Sequence, residues 1–181
     1  MKEVKELKFL SLDAETNGLW GKPFTIAVTG YDANGDEMIA RKWAIKNLNS
    51  VVTNNWVKEN VLPALELEGC ILVDSYDDLL KEFADFYNQH KSAKTMWHMG
   101  HIVETHLFRE CVSKGLIGEW DAPYTPIEIS SILLVLGEKE DSVDAYISKH
   151  QLDVELGSTH DPLYDCRVAA AVYFHAIKRR A

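Results

Sequence analysis

The sequence is short of cysteine, of long apolar runs and of positive charge, and each shortage argues against a class of protein. Its three cysteines (Cys70, Cys111 and Cys166) lie far apart, are odd in number and include no Cys-x-x-Cys pair. That argues against a disulfide framework or a zinc cluster and fits a reducing cytoplasm. The longest apolar run, Ile129 to Leu136, contains two serines and is far too short to span a bilayer, so no membrane association is expected. The opening MKEVKELKFL has no secretory apolar core, so export is not expected. Lysine and arginine total 19 against 28 aspartates and glutamates, a formal net charge of −9. Such a balance disfavours a long duplex held through its phosphates. A short single-stranded end in a cleft stays compatible with it, provided several of the acids ligate metal. No internal repeat, low-complexity stretch or linker is present.

What is there reads as a globular α/β chain. With 181 residues, residues 1–181 are expected to form a single domain with a substantial core. Phe9-Leu10-Ser11-Leu12 has the form of a buried strand that runs into Asp13-Ala14-Glu15, and Asn17-Gly18 ends it. Pro23 to Tyr31 reads as a second strand. Asn34-Gly35 marks a hairpin turn, and Glu37 to Ala44 returns as a third strand. The three should form an antiparallel meander.

A helix is expected from an N-cap at Thr53 through Trp56, Val57, Asn60, Val61 and Leu65, with a break near Pro63. A clearer one opens at Asp74 or Ser75. A strand over Lys94 to Met99, with Trp97 and Met99 on one side, leads into a helix from about Ile102 to Lys114. Pro123 to Ile129 reads as extended, and helices follow over Ser130 to Gly137 and Ser142 to His150. Asp161 and Pro162 then open a final helix that ends in Lys178-Arg179-Arg180, favourable charges at a C-terminus. Strands first, then alternating helices and strands, predict a mixed sheet with flanking helices.

Acids recur where such a sheet would carry a site. In an extended strand Asp13 and Glu15 point to the same face, and two adjacent carboxylates repel unless a cation lies between them. Oxygen donors of this kind suit Mg²⁺ or Mn²⁺. Glu104 opens a helix just after the Trp97 strand. His160 lies in the loop before the last helix and Asp165 in its first turns, an arrangement for a general base beside a metal-activated water.

Those residues carry a resemblance. LDAETNGL, Leu12 to Leu19, looks like the first motif of the DEDDh branch of DnaQ-like 3′-5′ exonucleases, and the Phe24 to Val28 strand follows at the usual place. HDPLYDCRVAAAVYFHAI resembles the third motif, a histidine with an aspartate five positions on and an alanine-rich helix. Together with TNNWVKENVLPAL it is most similar to the small ribonuclease T-like exoribonucleases of bacteria and their phages. The second motif departs from the pattern. WHMGHIVETHLF holds no aspartate and offers Glu104, or else His101. Glu104 keeps Leu107 and Phe108 three and four positions on, and the role is carried to it.

The resemblance implies a ribonuclease H-like fold and a cytoplasmic 3′-5′ exonuclease, with RNA favoured over DNA. Asp13, Glu15, Glu104 and Asp165 would hold two divalent cations, Mg²⁺ or Mn²⁺, and His160 would act as base. The partner would be a single-stranded RNA or DNA 3′ end, the product a nucleoside monophosphate, and a homodimer is plausible by analogy. Thr16, Asn17, Gly18, Leu19 and Trp20 adjoin the acids and are candidates to hold the terminal nucleotide, with Leu19 or Trp20 against a base. Trp43, Trp56, Trp97 and Trp120 are expected in or near the core. His98, His101 and His106 share no clear ligand spacing with a fourth group, against zinc. The glutamate at the second motif favours one alternative, a module that binds a nucleic-acid end or a partner without cutting. A metal phosphatase would need a phosphate-cradling loop or an Asp-x-Asp nucleophile, and neither is present.

Overall fold

A computed structural model describes residues 6–154 and 157–179; Met1 to Lys5 and Arg180, which entered the readings of the two chain ends, lie outside them. Alternation along the first strand sets the layers. In β1 (Phe9–Thr16), Leu10, Leu12 and Ala14 join one apolar core, while Phe9 packs into the other. Side chains two apart share a face, so Asp13 and Glu15 leave the sheet on the Phe9 side.

The antiparallel meander forms as expected. β2 (Pro23–Tyr31) is buried throughout and pairs with β1 and with β3 (Glu37–Ile45). In the turn between them, Asp32 Oδ1 accepts the N–H groups of Asn34 at 2.8 Å and Asp36 at 3.0 Å. Gly35 is required there, with φ of +89° and the Phe174 ring 2.9 Å from where a Cβ would sit. β4 (Ile71–Val73) adds to β3 in parallel, β5 (Lys94–Trp97) adds to β1 in parallel, and β6 (Ile127–Glu128) adds to β5. The six-stranded sheet runs β4-β3-β2-β1-β5-β6.

Helices cover both faces. α1 (Leu48–Val51) and α2 (Asn55–Asn60), followed by a 3₁₀ turn at Leu62–Ala64, close the end of β3. α3 (Tyr76–His90) and α4 (Val103–Ser113) pack on Leu10 and Leu12, with Trp43 edge-on to Phe83 and Phe86. Truncating a core ring such as Phe83 to alanine would cost about 3–5 kcal/mol. α5 (Ile129–Val135), α6 (Val143–His150) and α7 (Pro162–Lys178) cover the opposite face. The small buried Ala169 and Ala170 let α7 lie close on β1 and β2, and Phe9 packs against both Tyr173 and Phe174. No helix among the described residues is long and apolar enough to cross a membrane.

Several local expectations are corrected. The β5 strand ends at Trp97, and Met99 turns outward, 56% exposed with φ of +58°, its N–H donated to Glu128 Oε1. Asn54 rather than Thr53 caps α2, accepting from Val57 N at 3.2 Å. Trp56 and Trp120, expected in or near the core, are 57% and 79% exposed. The extended piece before α5 narrows to β6, while β4 and α1 are additions.

Candidate active site

The carboxyl ends of β1 and β5 lie side by side because the two strands run parallel. In open sheets ligands bind at such strand ends. β1 brings Asp13 and Glu15 there, and the chain leaving β5 enters α4, whose first turn carries Glu104. From the far end of the sequence, α7 begins at the same rim. Asp161 caps it, with Oδ1 accepting Leu163 N at 3.0 Å and Tyr164 N at 3.4 Å. This start places His160 just outside the helix and Asp165 in its first turn.

All five predicted acid and base residues line one cleft of about 330 Å³. Glu15, His160 and Asp165 each offer a ligand atom, and those atoms lie within 4.8 Å of one another. His160 Nδ1 is 3.7 Å from Glu15 Oε1, an ion-pair distance too long for a hydrogen bond. The His160 N–H donates to Asp165 Oδ2 at 2.9 Å. Its backbone is left-handed, φ +75°, a conformation that costs a residue of this kind about 1–3 kcal/mol. The edge of Trp56 stands against the imidazole, ring centroids 5.6 Å apart at 87°. Glu104, only 3% exposed, accepts the Ala14 N–H at Oε1, 3.1 Å away. Of the two residues offered by the second motif, Glu104 lines the cleft, while His101 is exposed and outside its lining.

The electrostatics are those of acids crowded together. Burial pushes the Asp13 carboxyl well above the usual range, and the charges of Asp165, Glu104 and Glu15 push it further. Burial likewise raises Glu104 to about 8, against the pull of backbone N–H groups. Asp165 rises to about 7 for the same reason, with the His160 N–H pulling it down. The Glu15 carboxylate beside His160 raises the imidazole.

The five residues expected to hold a nucleotide divide. Leu19 lines the cleft and is 59% exposed. Thr16 is buried, its hydroxyl donating to Gly18 O at 2.9 Å. The Asn17 amide bonds Val51 O, Thr53 Oγ1, Thr53 N and Asn54 N, all within 3.1 Å, and so ties the turn to the segment between α1 and α2. Gly18 has φ of +83° and is approached by Asn54, whose side chain a Cβ would meet at 2.8 Å. Trp20 is 74% exposed and outside the cleft lining. Residues that the sequence reading did not assign to the site include Trp56, His98, Asp141 and Asp144. Trp56 alone had a signal, its place in the TNNW segment that carried part of the resemblance.

Neither a family model nor a curated protein sequence matches this chain. Solved structures do. The Mg²⁺ and Mn²⁺ bound form of S. pombe Pop2p superposes with a TM-score of 0.71 at 12% identity, covering 96% of this chain and 84% of that one. The nuclease domain of 3′hExo, a DEDDh family member bound to rAMP, gives 0.68 at 11% identity, covering 99% and 95%. The chain has the fold of a DEDDh exonuclease. Exonuclease X in complex with 5′ overhanging duplex DNA gives 0.57 at 15% identity, covering 94% and 92%. The ribonuclease H-like mixed sheet expected from the motifs is therefore present, and the five motif residues line one cleft at its strand ends.

Proposed function

We propose that this chain is a metal-dependent 3′-5′ exonuclease that releases nucleoside monophosphates from the 3′ end of single-stranded nucleic acid, RNA in preference to DNA. One observation carries the reading. Glu15 from the first strand meets His160, just before the last helix, and Asp165 in its first turn, ligand atoms within 4.8 Å, with Asp13 and Glu104 in the same cleft.

The donor set fits two Mg²⁺ or Mn²⁺ ions. Four carboxylates supply hard oxygen ligands, and burial and mutual repulsion that push Asp13, Glu104 and Asp165 upward are what cations relieve. A neighbour of the same fold, Pop2p, is described in a Mg²⁺ and Mn²⁺ bound form. When bound, the ions would acidify the attacking water and offset charge building on the phosphate.

The chain's own residues do the rest. Asp13, Glu15, Glu104 and Asp165 hold the ions. His160, its Nδ1 3.7 Å from Glu15 Oε1, takes the water proton on its ring. Leu19 packs on the terminal base, while Thr16, Asn17, Gly18 and Trp20 shape the turn that presents it. The preference for RNA is supported by the ribonuclease T-like motifs and by rAMP in the 3′hExo structure.

The test is incubation with 3′- and 5′-labelled single-stranded RNA and DNA, in Mn²⁺, in Mg²⁺ and in chelator. Stepwise loss from the 3′ end, abolished by chelator and by Asp13→Ala, is expected, with RNA cut faster. A second reading has one observation in its favour: Glu104 stands where the family pattern has an aspartate, with Oε1 on the Ala14 N–H. Tight binding of strand ends with no product in any metal would make the chain a binding module instead.

A further inference from the structure

We propose that Lys42 and Asp161 form a buried latch that sets the position of His160, making both of them positioning residues for proton transfer. The inference rests on the exonuclease reading for what His160 does, while the latch itself is argued from contacts. Lys42 lies on β3 and points at the start of α7. Its Nζ is 2.7 Å from Asp161 Oδ2, with the two side chains 6% and 8% exposed. Charged side chains are rarely buried so deeply unless a specific pairing keeps them there.

Capping does not account for this pair. Asp161 Oδ1 alone accepts Leu163 N and Tyr164 N, which is all an N-cap does, and an asparagine or serine would do it as well. The second oxygen has other partners, Lys42 Nζ and Glu66 N at 3.0 Å. One carboxylate thus ties together β3, the segment after the 3₁₀ turn and the first turn of α7. Its chain neighbour is His160, held in a left-handed conformation that needs both flanks fixed. Asp165 fixes one flank through the His160 N–H. The latch fixes the other. It also anchors Glu66, downstream of α2, the helix that stands Trp56 against the imidazole.

The charge matters as well as the geometry. Without Lys42, the Asp161 carboxylate would be buried, unpaired and close to an acid cluster already in mutual repulsion. Removing one member of a buried pair is strongly disruptive, whereas replacing both is tolerated far better. A latch therefore predicts a specific pattern across single and double variants.

The experiment compares Lys42→Met, Asp161→Asn and the double variant in the full chain. Lys42→Met should lower Mn²⁺-dependent turnover by about tenfold or more, the range typical of lost supporting contacts. KM for a short oligonucleotide should stay within about twofold and the Mn²⁺-induced thermal shift should be kept. Asp161→Asn, which retains the cap but leaves the buried Lys42 ammonium without its carboxylate, should also lose turnover, and the double variant should recover most of the Lys42→Met loss. In NMR spectra of histidine-labelled protein in chelator, the His160 ring signal, assigned by its disappearance in His160→Ala, should move in Lys42→Met while the other histidine signals hold. Wild-type turnover and an unmoved His160 signal in folded Lys42→Met would overturn the latch. Equal loss in the single and double variants, with many histidine signals displaced, would also overturn it by reducing the pair to general stability. If Lys42→Met does not fold, Asp161→Asn and the double variant decide on the same readouts. Absence of cleavage by the wild type would sink the exonuclease reading alone, because the ring signal still reports on the latch.

Discussion

Glu104 Oε1 accepts the backbone N–H of Ala14, the residue between Asp13 and Glu15, at 3.1 Å. β5 pairs with β1 only as far as Ser11, so Glu104 satisfies an N–H the sheet leaves open and is drawn to the acids by it. Glu104→Gln keeps the acceptor and removes the charge. It should preserve stability and weaken Mn²⁺ binding by about tenfold or more. Glu104→Ala should add a destabilisation of about 1–3 kcal/mol from the unpaired amide. Calorimetric titration and thermal melting check both, and an unchanged titration in Glu104→Ala would remove the residue from the metal site.

The raised carboxyls set how the metal-free protein responds to pH. Glu104 at about 8 and Asp165 at about 7, with Asp13 also raised, hold protons in the folded state that the unfolded chain releases near pH 4. The folded state binds more protons between those limits, so stability falls as pH rises from about 4 to about 8. In chelator the melting temperature should drop over that interval, and Mn²⁺ should restore it most at the alkaline end. A flat profile in chelator would mean the acids do not sit together in solution.

His160 gains basicity from Glu15. In chelator its ring should titrate above the usual histidine value, and Mg²⁺, by taking up the Glu15 charge, should bring it down. Followed by NMR, a titration that ignores Mg²⁺ would separate the two residues. His160→Ala should lower turnover by about 10²- to 10⁴-fold with metal affinity nearly kept. Equal loss of both would make the imidazole a metal ligand instead.

Asn17 and Trp20 should behave oppositely to their closeness in sequence. Asn17→Ala removes four side-chain contacts to the α1–α2 segment and should cost about 1–3 kcal/mol in chemical denaturation. Trp20→Ala, at a mostly exposed position, should stay within about 0.5 kcal/mol. Leu19→Ala should raise KM for oligonucleotides with turnover less affected, since only packing on the bound end is lost.

The parts of the fold with strong local signals were legible in the sequence. β2 runs from Pro23 to Tyr31 as read, and α7 starts at the Asp161 cap with Pro162 as its first residue. β4 was not legible, because three residues carry no periodicity and its pairing with β3 is a tertiary fact. Met99 misled for a related reason: the strand ends at Trp97, and two residues on the chain turns left-handed at Met99 itself. Trp56 stands at helical spacing with buried Val57 and Val61, yet its ring is exposed and packs on His160. At the site, the acids and the histidine named through the family resemblance line one cleft. The nucleotide-side candidates rested on adjacency alone; the register shifts between Glu15 and Thr16, and of the five only Leu19 lines the cleft.

The joining of β1 to α7 across almost the whole chain has a bearing on synthesis. A nascent or clipped copy that stops short of His160 carries Asp13 and Glu15 but neither the imidazole nor Asp165. Under the proposed activity such a fragment is inert toward the nucleic acid around it, and cutting power arrives only when the final helix docks.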